Sequence, residues 1–402
     1  MNGHIAAVGD NVSIPTDAIV LHTNGVISSG LIDVHNHLTW NIFARWKPFE
    51  QFGNRYDWLH KPIFRVFMNS SYQALVDAGL SCAMQRYAEV KAITQGATSV
   101  IGSLLEPCNR GLARNLDDDP MLGNIGYNLF PLETTEAEIE KVKESLLSNG
   151  TLFIHIAEGS SDDAASAREF SMLKSRGLLV PGVSLIHAVA LGDNDFNEMA
   201  KAGVGLVWSP RSNFELYGNT MNVKAAKENN IITALAPDWS ITGSDGLLSE
   251  LNYAATWNAG LEHPLFDDRS LVEMATLNAA KLAHLDNRLG VLKEGFLADI
   301  LVLRSHDNQS QHDGFWTVTH ATPEDVVLVM IDGKAVYGDP TVMQQLAGTD
   351  TLESLEICGT QKSISFASQI GPQSTFQQTQ ETLSRALRQW SHRLAPLSEC
   401  GL

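Results

Sequence analysis

The feature that most constrains this chain is a short apolar segment, Gly30 to Leu38, that carries two histidines. Leu31, Ile32 and Val34 have the composition of a buried strand, and His35 and His37 follow at its end. Because strand side chains alternate between faces, the two imidazoles point the same way and can grip one divalent metal ion. The chain has 13 histidines, so the alternative at this point is a polar strand end with two solvent-facing histidines.

Length and charge limit the classes of protein to consider. The chain has 402 residues and 44% hydrophobic residues, enough for an α/β barrel with attached segments and a large buried core. Its net charge of −18 argues against nucleic-acid and anionic-membrane partners, which both require basic patches. A basic protein partner is an alternative explanation of this charge, but a solvated acidic surface explains it more simply.

The cysteines and the hydropathy predict a cytoplasmic protein. The four cysteines are scattered and lack C-x-x-C spacing, so we expect reduced thiols and not a disulfide framework. No apolar run reaches the length of a membrane span, and no basic-then-apolar signal opens the chain.

Apolar strand-like runs alternate with helical patterns from Gly30 onward, which is typical of βα units on a parallel sheet. We therefore predict a (β/α)8 TIM-like barrel over residues 30–288. After the first strand, we predict further strands within Ala97–Gly102, Leu112–Leu116, Asn124–Phe130, Leu152–Glu158, Val183–His187, Val204–Trp208 and Ile231–Ala236. Helices are predicted at 71–95, Glu136–Leu147, Ala164–Arg176, Asn194–Ala202, 246–258 and 270–284.

The two ends of the chain have a different pattern. Short strands are predicted at His4–Val8 and Ala18–Leu21, and again at Gly290–Leu292, Asp299–Leu303, Val326–Ile331 and Lys334–Tyr337. We expect residues 1–29 and 289–340 to form one small β-sandwich domain, because the first segment is too short to fold alone. Residues 341–402 are polar and are predicted to form a mostly helical extension, with a helix at 375–393.

An aromatic stretch between Trp40 and Trp58 follows the first strand. It is either a packed loop core or the lid of a pocket for a flat substrate, and the sequence supports both interpretations equally.

Metal-competent residues recur at the ends of the predicted strands. His35 and His37 end the first strand, His155 lies near the end of the fifth, His187 ends the sixth, and Asp238 follows the eighth. In a β/α barrel these ends converge on one face, where active sites are built. A single histidine on an apolar strand is more often a satisfied core residue, but five such residues at strand ends are difficult to explain in that way.

These residues belong to motifs that resemble the amidohydrolase superfamily. The similarity is greatest to the mononuclear-metal branch that contains cytosine and guanine deaminases, methylthioadenosine-type deaminases and triazine hydrolases. It covers about residues 1–340. The matching motifs are G-L-I-D-x-H-x-H from Gly30, H-x-x-E from His155, His187, S-P-x-S-N from Ser209, Asp238, and L-G-x-L-x-x-G-x-x-A-D from Leu289.

The resemblance implies a role for each residue. His35, His37, His155 and Asp238 would hold one divalent metal ion, Zn²⁺ in the first instance and Fe²⁺ as the alternative. Asp238 would accept a proton from the attacking water, His187 would hydrogen-bond the attacking oxygen or the substrate, and Glu158 would protonate a ring nitrogen. The alternative for Glu158 is a surface carboxylate at a strand end.

Two residues depart from the family pattern. Arg211 stands inside the S-P-x-S-N motif where a small residue is usual, so it either contacts an anionic group of the substrate or forms a salt bridge among loops, such as one with Glu215. Trp239 follows Asp238 where a small residue is usual, which puts standard nucleobase specificity in doubt. Trp40 and Asn213 complete the expected substrate-binding residues. Two-metal members of the superfamily commonly carry a carboxylated lysine on the fourth strand. The predicted fourth strand of this chain contains no lysine, so the resemblance favours a site with a single metal ion.

The function expected from this resemblance is hydrolytic deamination of an aromatic N-heterocyclic amine, such as a nucleobase, nucleoside, pterin or triazine. Hydrolysis of an amide, urea or cyclic amide on the same residues is the alternative, and a catalytically dead barrel that serves as a scaffold is the third hypothesis. The partner is a small-molecule substrate, and a homodimer is compatible with the family.

Overall fold

The computed structural model describes residues 3–102, 108, 112–119, 122–129, 134–160, 162–305, 312–347, 352–366 and 375–400. The end of the predicted strand at Asn124–Phe130 and part of residues 341–402 lie outside these ranges. The fold is α/β, with two parallel sheets and one antiparallel sheet.

The parallel strands form two arcs. The first arc is β2–β3–β4 and the second is β5–β6–β7–β8–β9, each in sequence order. An isolated parallel bridge between Asn36 and Asp238 links the segment after β2 to the segment after β9. The strands of the two arcs are β2 Leu31–Asp33, β3 Ala97–Val100, β4 Arg114–Asn115, β5 Ile125–Leu129, β6 Thr151–Ile156, β7 Val183–His187, β8 Gly205–Trp208 and β9 Thr233–Leu235.

The alternation of side chains along these strands produces two cores. In β6, Phe153 packs with Ile186 of β7 and Val207 of β8 in one cluster, whereas Leu152 and Ile154 join the larger cluster that packs against the helices. His155 therefore lies on the same face of β6 as Phe153, towards the interior that the strands share. The strand pattern alone brings this histidine to the inside of the fold.

Helices connect the strands, as the sequence predicts. The predicted helices at 71–95 and 270–284 are each divided in two, at residues 78–80 and 275–276. The helix predicted at 375–393 ends five residues early, at Arg388, and the other predicted helices agree to within one or two residues. The α-helices are α1 Arg55–Leu59, α2 Ser70–Asp77, α3 Ser81–Thr94, α4 Glu136–Leu147, α5 Ala164–Ser175, α6 Asp193–Ala202, α7 Pro210–Tyr217, α8 Val223–Glu228, α9 Leu247–Ala259, α10 Asp268–Met274, α11 Leu277–Leu282, α12 Gly314–His320, α13 Pro340–Ala347 and α14 Phe376–Arg388. A π-helix spans Ile63–Asn69, and 3-10 helices span Leu38–Ile42 and Pro323–Asp325.

The third sheet is antiparallel and has six strands in the order β1–β10–β11–β12–β14–β13. It joins β1 near the N-terminus to strands from beyond residue 299. The described residues form no second antiparallel sheet, so the β-sandwich is not confirmed. Its strands are β1 Val26–Ser29, β10 Ile300–Leu303, β11 Val326–Ile331, β12 Lys334–Gly338, β13 Glu353–Ile357 and β14 Thr360–Ile364.

Three short strand predictions are wrong. Residues 5–8, 18–21 and 290–292 have no strand conformation, and His4 forms only an isolated bridge with Leu297. Most side chains of residues 6–20 are exposed, so this segment has no apolar face to bury against a sheet. Conversely, β13 and β14 lie in a segment for which the sequence predicted no strands.

The prediction of reduced thiols is also wrong. The structure pairs Cys82 with Cys108 and Cys358 with Cys400, which are 26 and 42 residues apart. Sequence spacing gave no sign of these pairs because each cysteine meets its partner only through the fold. Disulfides persist mainly in oxidising compartments, so the predicted cytoplasmic location loses the support that it drew from reduced cysteines. No helix among the described residues combines the length and apolarity of a membrane span.

A thiol count tests this pairing directly. In the denatured protein without reductant we expect no titratable thiol, and we expect four after reduction, because all four cysteines are paired. Closing loops of this length stabilises a fold by about 3–4 kcal/mol each in the chain-entropy model, so reduction should also lower the melting temperature. Four thiols in the unreduced protein would contradict the pairing.

Candidate metal centre and active site

Four histidine rings meet at the ends of β2, β6 and β7. The ring of His35 lies 5.2 Å from that of His37, 5.0 Å from that of His155 and 5.1 Å from that of His187, measured between centroids. His35, His155 and His187 are at most 1% exposed. Residues from three separate segments of the chain therefore form one largely buried cluster, as the strand-end argument predicts.

Asp238 completes the cluster from the segment after β9. Its Oδ1 lies 3.2 Å from Nε2 of His35 and 3.4 Å from Nε2 of His37. Its Oδ2 accepts a hydrogen bond of 2.6 Å from Oγ of Ser212. Asp238 and His187 both adopt positive φ, 63° and 70°, a conformation that is uncommon for these residues and that concentrates at functional sites.

The loop that carries Asp238 is hydrogen-bonded to the loop after β2. Nδ2 of Asn41 donates to Oδ1 of Asn36 at 2.8 Å, and the backbone N–H of Ser240 donates to Oδ1 of Asn41 at 2.8 Å. The buried Lys91 also donates to Oγ of Ser240 at 3.0 Å. These bonds fix the carboxylate of Asp238 relative to the two histidines that follow β2.

The donor atoms have the arrangement and the chemistry of a metal site. The ligand atoms of His35, His37 and His155 lie within 4.8 Å of one another, and so do those of His35, His187 and Asp238. Imidazole nitrogen and carboxylate oxygen together suit Zn²⁺ and related divalent ions.

The ionisation of these groups also favours metal binding. Burial lowers the pKa of His35 and His155 below the ordinary value and lowers that of His37 to about 4. The imidazoles are therefore neutral at neutral pH, as metal ligands must be. Burial alone would raise the pKa of Asp238, but the surrounding imidazoles, His35 first, outweigh it and keep the pKa below its ordinary value.

Glu158 lies just after β6 and is held by a second buried side chain. The hydroxyl of Tyr217 donates to Oε1 of Glu158 at 2.7 Å, and Nε1 of Trp58 donates to the same hydroxyl at 2.9 Å. Burial and the nearby carboxylate raise the pKa of Tyr217 well above its ordinary value, so the phenol remains a donor. The other carboxylate oxygen, Oε2, lies 3.8 Å from Nε2 of His187.

His187 is oriented by Asn213 of α7. Nδ1 of His187 lies 3.0 Å from Oδ1 of Asn213, whose Nδ2 in turn donates to Oγ1 of Thr220 at 3.2 Å. Because the amide nitrogen of Asn213 is already a donor to Thr220, its oxygen accepts from His187. The proton of neutral His187 is thus on Nδ1, and Nε2 presents a lone pair.

A cavity of about 170 Å³ opens onto these groups. Trp40 and Trp239 both line it, so the aromatic stretch forms part of a pocket and not only a packed loop core. Its other lining residues are His37, Arg55, Trp58, Leu59, Phe64, His155, Glu158, His187 and Asp238.

The structure does not bring Arg211 to this cavity. Its Nη2 lies 3.7 Å from Oε2 of Glu399, and its backbone N–H donates to Oε1 of Glu250 at 3.2 Å. Arg211 lines a separate groove beside the C-terminal segment, together with Glu215 and Tyr253. The salt-bridge alternative fits this geometry, with Glu399 as the partner and not Glu215.

The sequence interpretation missed Tyr217 and Arg55. Tyr217 is the last residue of α7, the helix that follows β8, and its place four residues after Asn213 of the S-P-x-S-N motif is the signal that could have indicated it. Arg55 lines the cavity while its guanidinium Nη2 lies 3.0 Å from Oε1 of Glu169, and both side chains are buried. No short motif marks this ion pair, because its partners are 114 residues apart.

Comparisons with known proteins agree with this geometry. The model of the amidohydrolase family matches residues 154–336. The chain is 22% identical over 381 residues to the 5-methylthioadenosine/S-adenosylhomocysteine deaminase of Caldicellulosiruptor saccharolyticus, covering 84% of this chain and 87% of that protein. It is 32% identical over 168 residues to the enzyme of the same name from Pyrococcus abyssi, covering 39% of this chain and 38% of that protein.

Solved structures show the same fold at low sequence identity. The atrazine chlorohydrolase of Arthrobacter aurescens complexed with zinc superposes with a TM-score of 0.64 at 18% identity, covering 84% of this chain and 89% of that one. The adenosine deaminase of Xanthomonas campestris with bound zinc gives 0.62 at 18% identity, covering 78% and 80%. These likenesses confirm a TIM-barrel-like α/β fold. The family match and the curated relatives show that this chain is similar to enzymes of the amidohydrolase superfamily.

Proposed function

We propose that this protein is a mononuclear metal-dependent hydrolase that deaminates an aromatic N-heterocyclic amine. The observation that carries the proposal is the position of Glu158, which is fixed by Tyr217 on one oxygen and faces the histidine cluster with the other. A deaminase requires such a group, because the ring nitrogen must be protonated before the tetrahedral intermediate collapses. The relatives named above include deaminases of adenine-containing compounds, which supports this reaction.

The donor set fits one zinc ion. His35, His37, His155 and Asp238 would hold it, with His187 beside it, and both solved structures compared above contain zinc. When bound, the ion acts as a Lewis acid that activates water for hydrolysis near neutral pH.

The side chains divide the proton transfers among them. Asp238 accepts a proton from the attacking water, and the lone pair on Nε2 of His187 accepts a hydrogen bond from the attacking oxygen. Glu158, acting as the acid, gives its proton to the ring nitrogen, then takes the second proton of the water from the newly added hydroxyl group and delivers it to the departing amine. The proton held by Asp238 then returns to Glu158 and restores the acid. One water is consumed, the carbon–nitrogen bond to the exocyclic amine breaks, and the products are the ring carbonyl and ammonia.

An ammonia-release assay tests the function. The zinc-loaded protein would be assayed with purine, pyrimidine, pterin and triazine amines, and in parallel with amides, ureas and cyclic amides. We expect ammonia from at least one ring amine and no turnover of the amide series. Turnover of the amide series alone would support amide hydrolysis on the same residues and contradict deamination.

Tyr217 should matter for turnover and not for metal binding. Replacing it, Tyr217→Phe, removes the donor to Glu158 but keeps the ring, so the carboxylate loses its fixed orientation. We expect kcat to fall about 10-fold, less than the roughly 10²–10⁴-fold contribution of a positioned acid or base, because the carboxylate itself remains, and we expect KM and zinc content to be unchanged. Tyr253→Phe is the matched control, because Tyr253 does not line the cavity. Unchanged kcat in Tyr217→Phe would contradict the role.

We also infer that the two arcs of parallel strands form a single (β/α)8 barrel over residues 30–288. The bridge between Asn36 and Asp238 supports closure on one side, since it joins the first strand segment to the last. We propose a separate β domain of residues 1–29 and 289–340, to whose sheet the following segment contributes β13 and β14.

A further inference from the structure

The cavity has an aromatic wall opposite the polar cluster, formed by Trp40, Trp58, Phe64 and Trp239. The rings are in mutual contact: the centroid of Trp58 lies 5.0 Å from that of Phe64 and 5.4 Å from that of Trp239, and Trp40 stacks on Phe64 at 5.7 Å. Trp239 also lies 5.8 Å from the ring of His37. The aromatic wall is therefore continuous and reaches the proposed metal site.

The indole nitrogens of two of these residues, Trp58 and Trp239, are directed back into the protein. Nε1 of Trp58 donates to the hydroxyl of Tyr217, and Nε1 of Trp239 donates to Oγ1 of Thr242 at 2.5 Å. Phe64 has no polar side-chain atom. A substrate that lies against Trp58, Phe64 and Trp239 meets carbon faces, which suit a flat ring and do not satisfy hydroxyl groups.

Arg55, the cationic side chain among the described lining residues, already binds other side chains. Arg55 is paired with Glu169 at 3.0 Å and donates to the hydroxyl of Tyr56 at 2.7 Å. Arg211, the residue that could have anchored an anion, faces Glu399 in another groove. Apart from the metal ion at the reacting end, an anionic substituent in the cavity would have to compete with the carboxylate of Glu169 for Arg55, and an uncompensated buried charge is strongly disfavoured.

We propose that this site selects ring amines whose non-reacting part is uncharged and free of hydroxyl groups, as in an unsubstituted or alkyl-substituted aminoheterocycle. Nucleosides and carboxylate-bearing amines are the disfavoured classes. This inference rests on the proposed deamination, but it concerns the part of the substrate that does not react. This preference would distinguish the chain from the relatives compared above, which are deaminases of the ribose-containing compounds 5-methylthioadenosine and S-adenosylhomocysteine.

The test uses sets of substrates that share one reacting ring. The zinc-loaded enzyme would be assayed first with an adenine set: 9-methyladenine, adenosine and 9-carboxymethyladenine. A cytosine set would carry the equivalent substituents on N1. A triazine set would consist of alkylamino, hydroxyalkylamino and carboxyalkylamino derivatives of a triazine amine. Ammonia release gives kcat/KM, and tryptophan fluorescence gives the dissociation constant. We expect the methyl or alkyl form to exceed its hydroxylated and carboxylated counterparts by about 100-fold, because a polar group that lies against carbon faces loses its hydrogen bonds to water and gains none.

Two variants of Phe64 link this preference to the aromatic wall. Phe64→Leu keeps the wall apolar, so kcat/KM should fall while the ratio of alkyl to hydroxylated substrate is kept. Phe64→Asn introduces a donor and an acceptor, and the same ratio should fall at least about 10-fold. Circular dichroism and zinc content would establish that both variants are folded and loaded.

The outcomes separate this inference from the proposed function. Ammonia release with equal or better use of nucleosides, or a ratio that Phe64→Asn does not change, would overturn the substrate class and leave deamination intact. Preferential binding of the alkyl forms without ammonia release would support the substrate class and overturn deamination. Neither binding nor release with any ring would overturn both.

Discussion

Replacing Glu158 with glutamine should lower kcat by about 10³-fold while the protein keeps its zinc, because the amide cannot carry the proton that the ring nitrogen and the departing amine require. Glutamine has nearly the same shape, and its oxygen can still accept the hydrogen bond from Tyr217. KM should change little, since the cavity wall is unaltered. The measurement is steady-state ammonia release together with metal analysis of the same preparation.

A matched carboxylate provides the control for this variant. Glu215 lies on the same helix as Asn213 and Tyr217 but lines the separate groove beside Arg211, so Glu215→Gln should retain the activity of the parent protein. Full activity in Glu158→Gln would remove Glu158 from the mechanism and, with it, the main reason for assigning deamination.

Replacing Asp238 with asparagine should abolish both metal retention and turnover. Asp238 is the only carboxylate in the cluster of donor atoms among the described residues, and asparagine removes its negative charge while keeping its size. Removing a residue that only supports a metal ligand lowers metal affinity by about 10–100-fold. Removing a charged ligand itself should therefore lower metal affinity by more than about 100-fold. Metal content after dialysis and competition with a chelator of known affinity would measure the change.

Ser212→Ala is the graded comparison for Asp238→Asn. It removes the hydrogen bond of 2.6 Å to Oδ2 of Asp238 but leaves the carboxylate in place. Zinc affinity should fall by about 10–100-fold, and activity should return at saturating zinc. An Asp238→Asn protein that binds zinc as tightly as the parent would contradict the assignment of Asp238 as a ligand.

The proposed ligand set could be predicted because it depends on two local rules. Side chains alternate along a strand, which places His155 on the same face as Phe153, and parallel strands bring their carboxyl ends to one face of a barrel. The apolar runs that indicate the strands each consist of a few neighbouring residues, so they can be recognised without knowing the fold. The same is true of α4, whose capping box between Thr135 and Glu138 fixes a start at Glu136, where the sequence predicts it.

The positions of Arg211 and of the four cysteines could not be obtained in this way. Arg211 was considered for an anionic substrate because of its place in a motif, but its partner Glu399 comes from the C-terminal segment. The disulfides likewise join residues that no spacing rule connects. In each case, the deciding contact lies between segments whose relative position depends on the whole fold.

The sequence by itself determined the α/β class, the strand ends and the chemistry of the residues that we assign as ligands, because periodicity and residue type are properties of neighbouring positions. Only the tertiary structure decided which carboxylate oxygen of Glu158 is held, which rings form the aromatic wall and which cations are already paired. Trp58 and Tyr217, which together fix Glu158, are 159 residues apart, and their hydrogen bond exists only after packing has brought α1 against α7. The reaction class follows from the chain's local pattern, whereas the proposed selectivity depends on contacts that the complete fold creates.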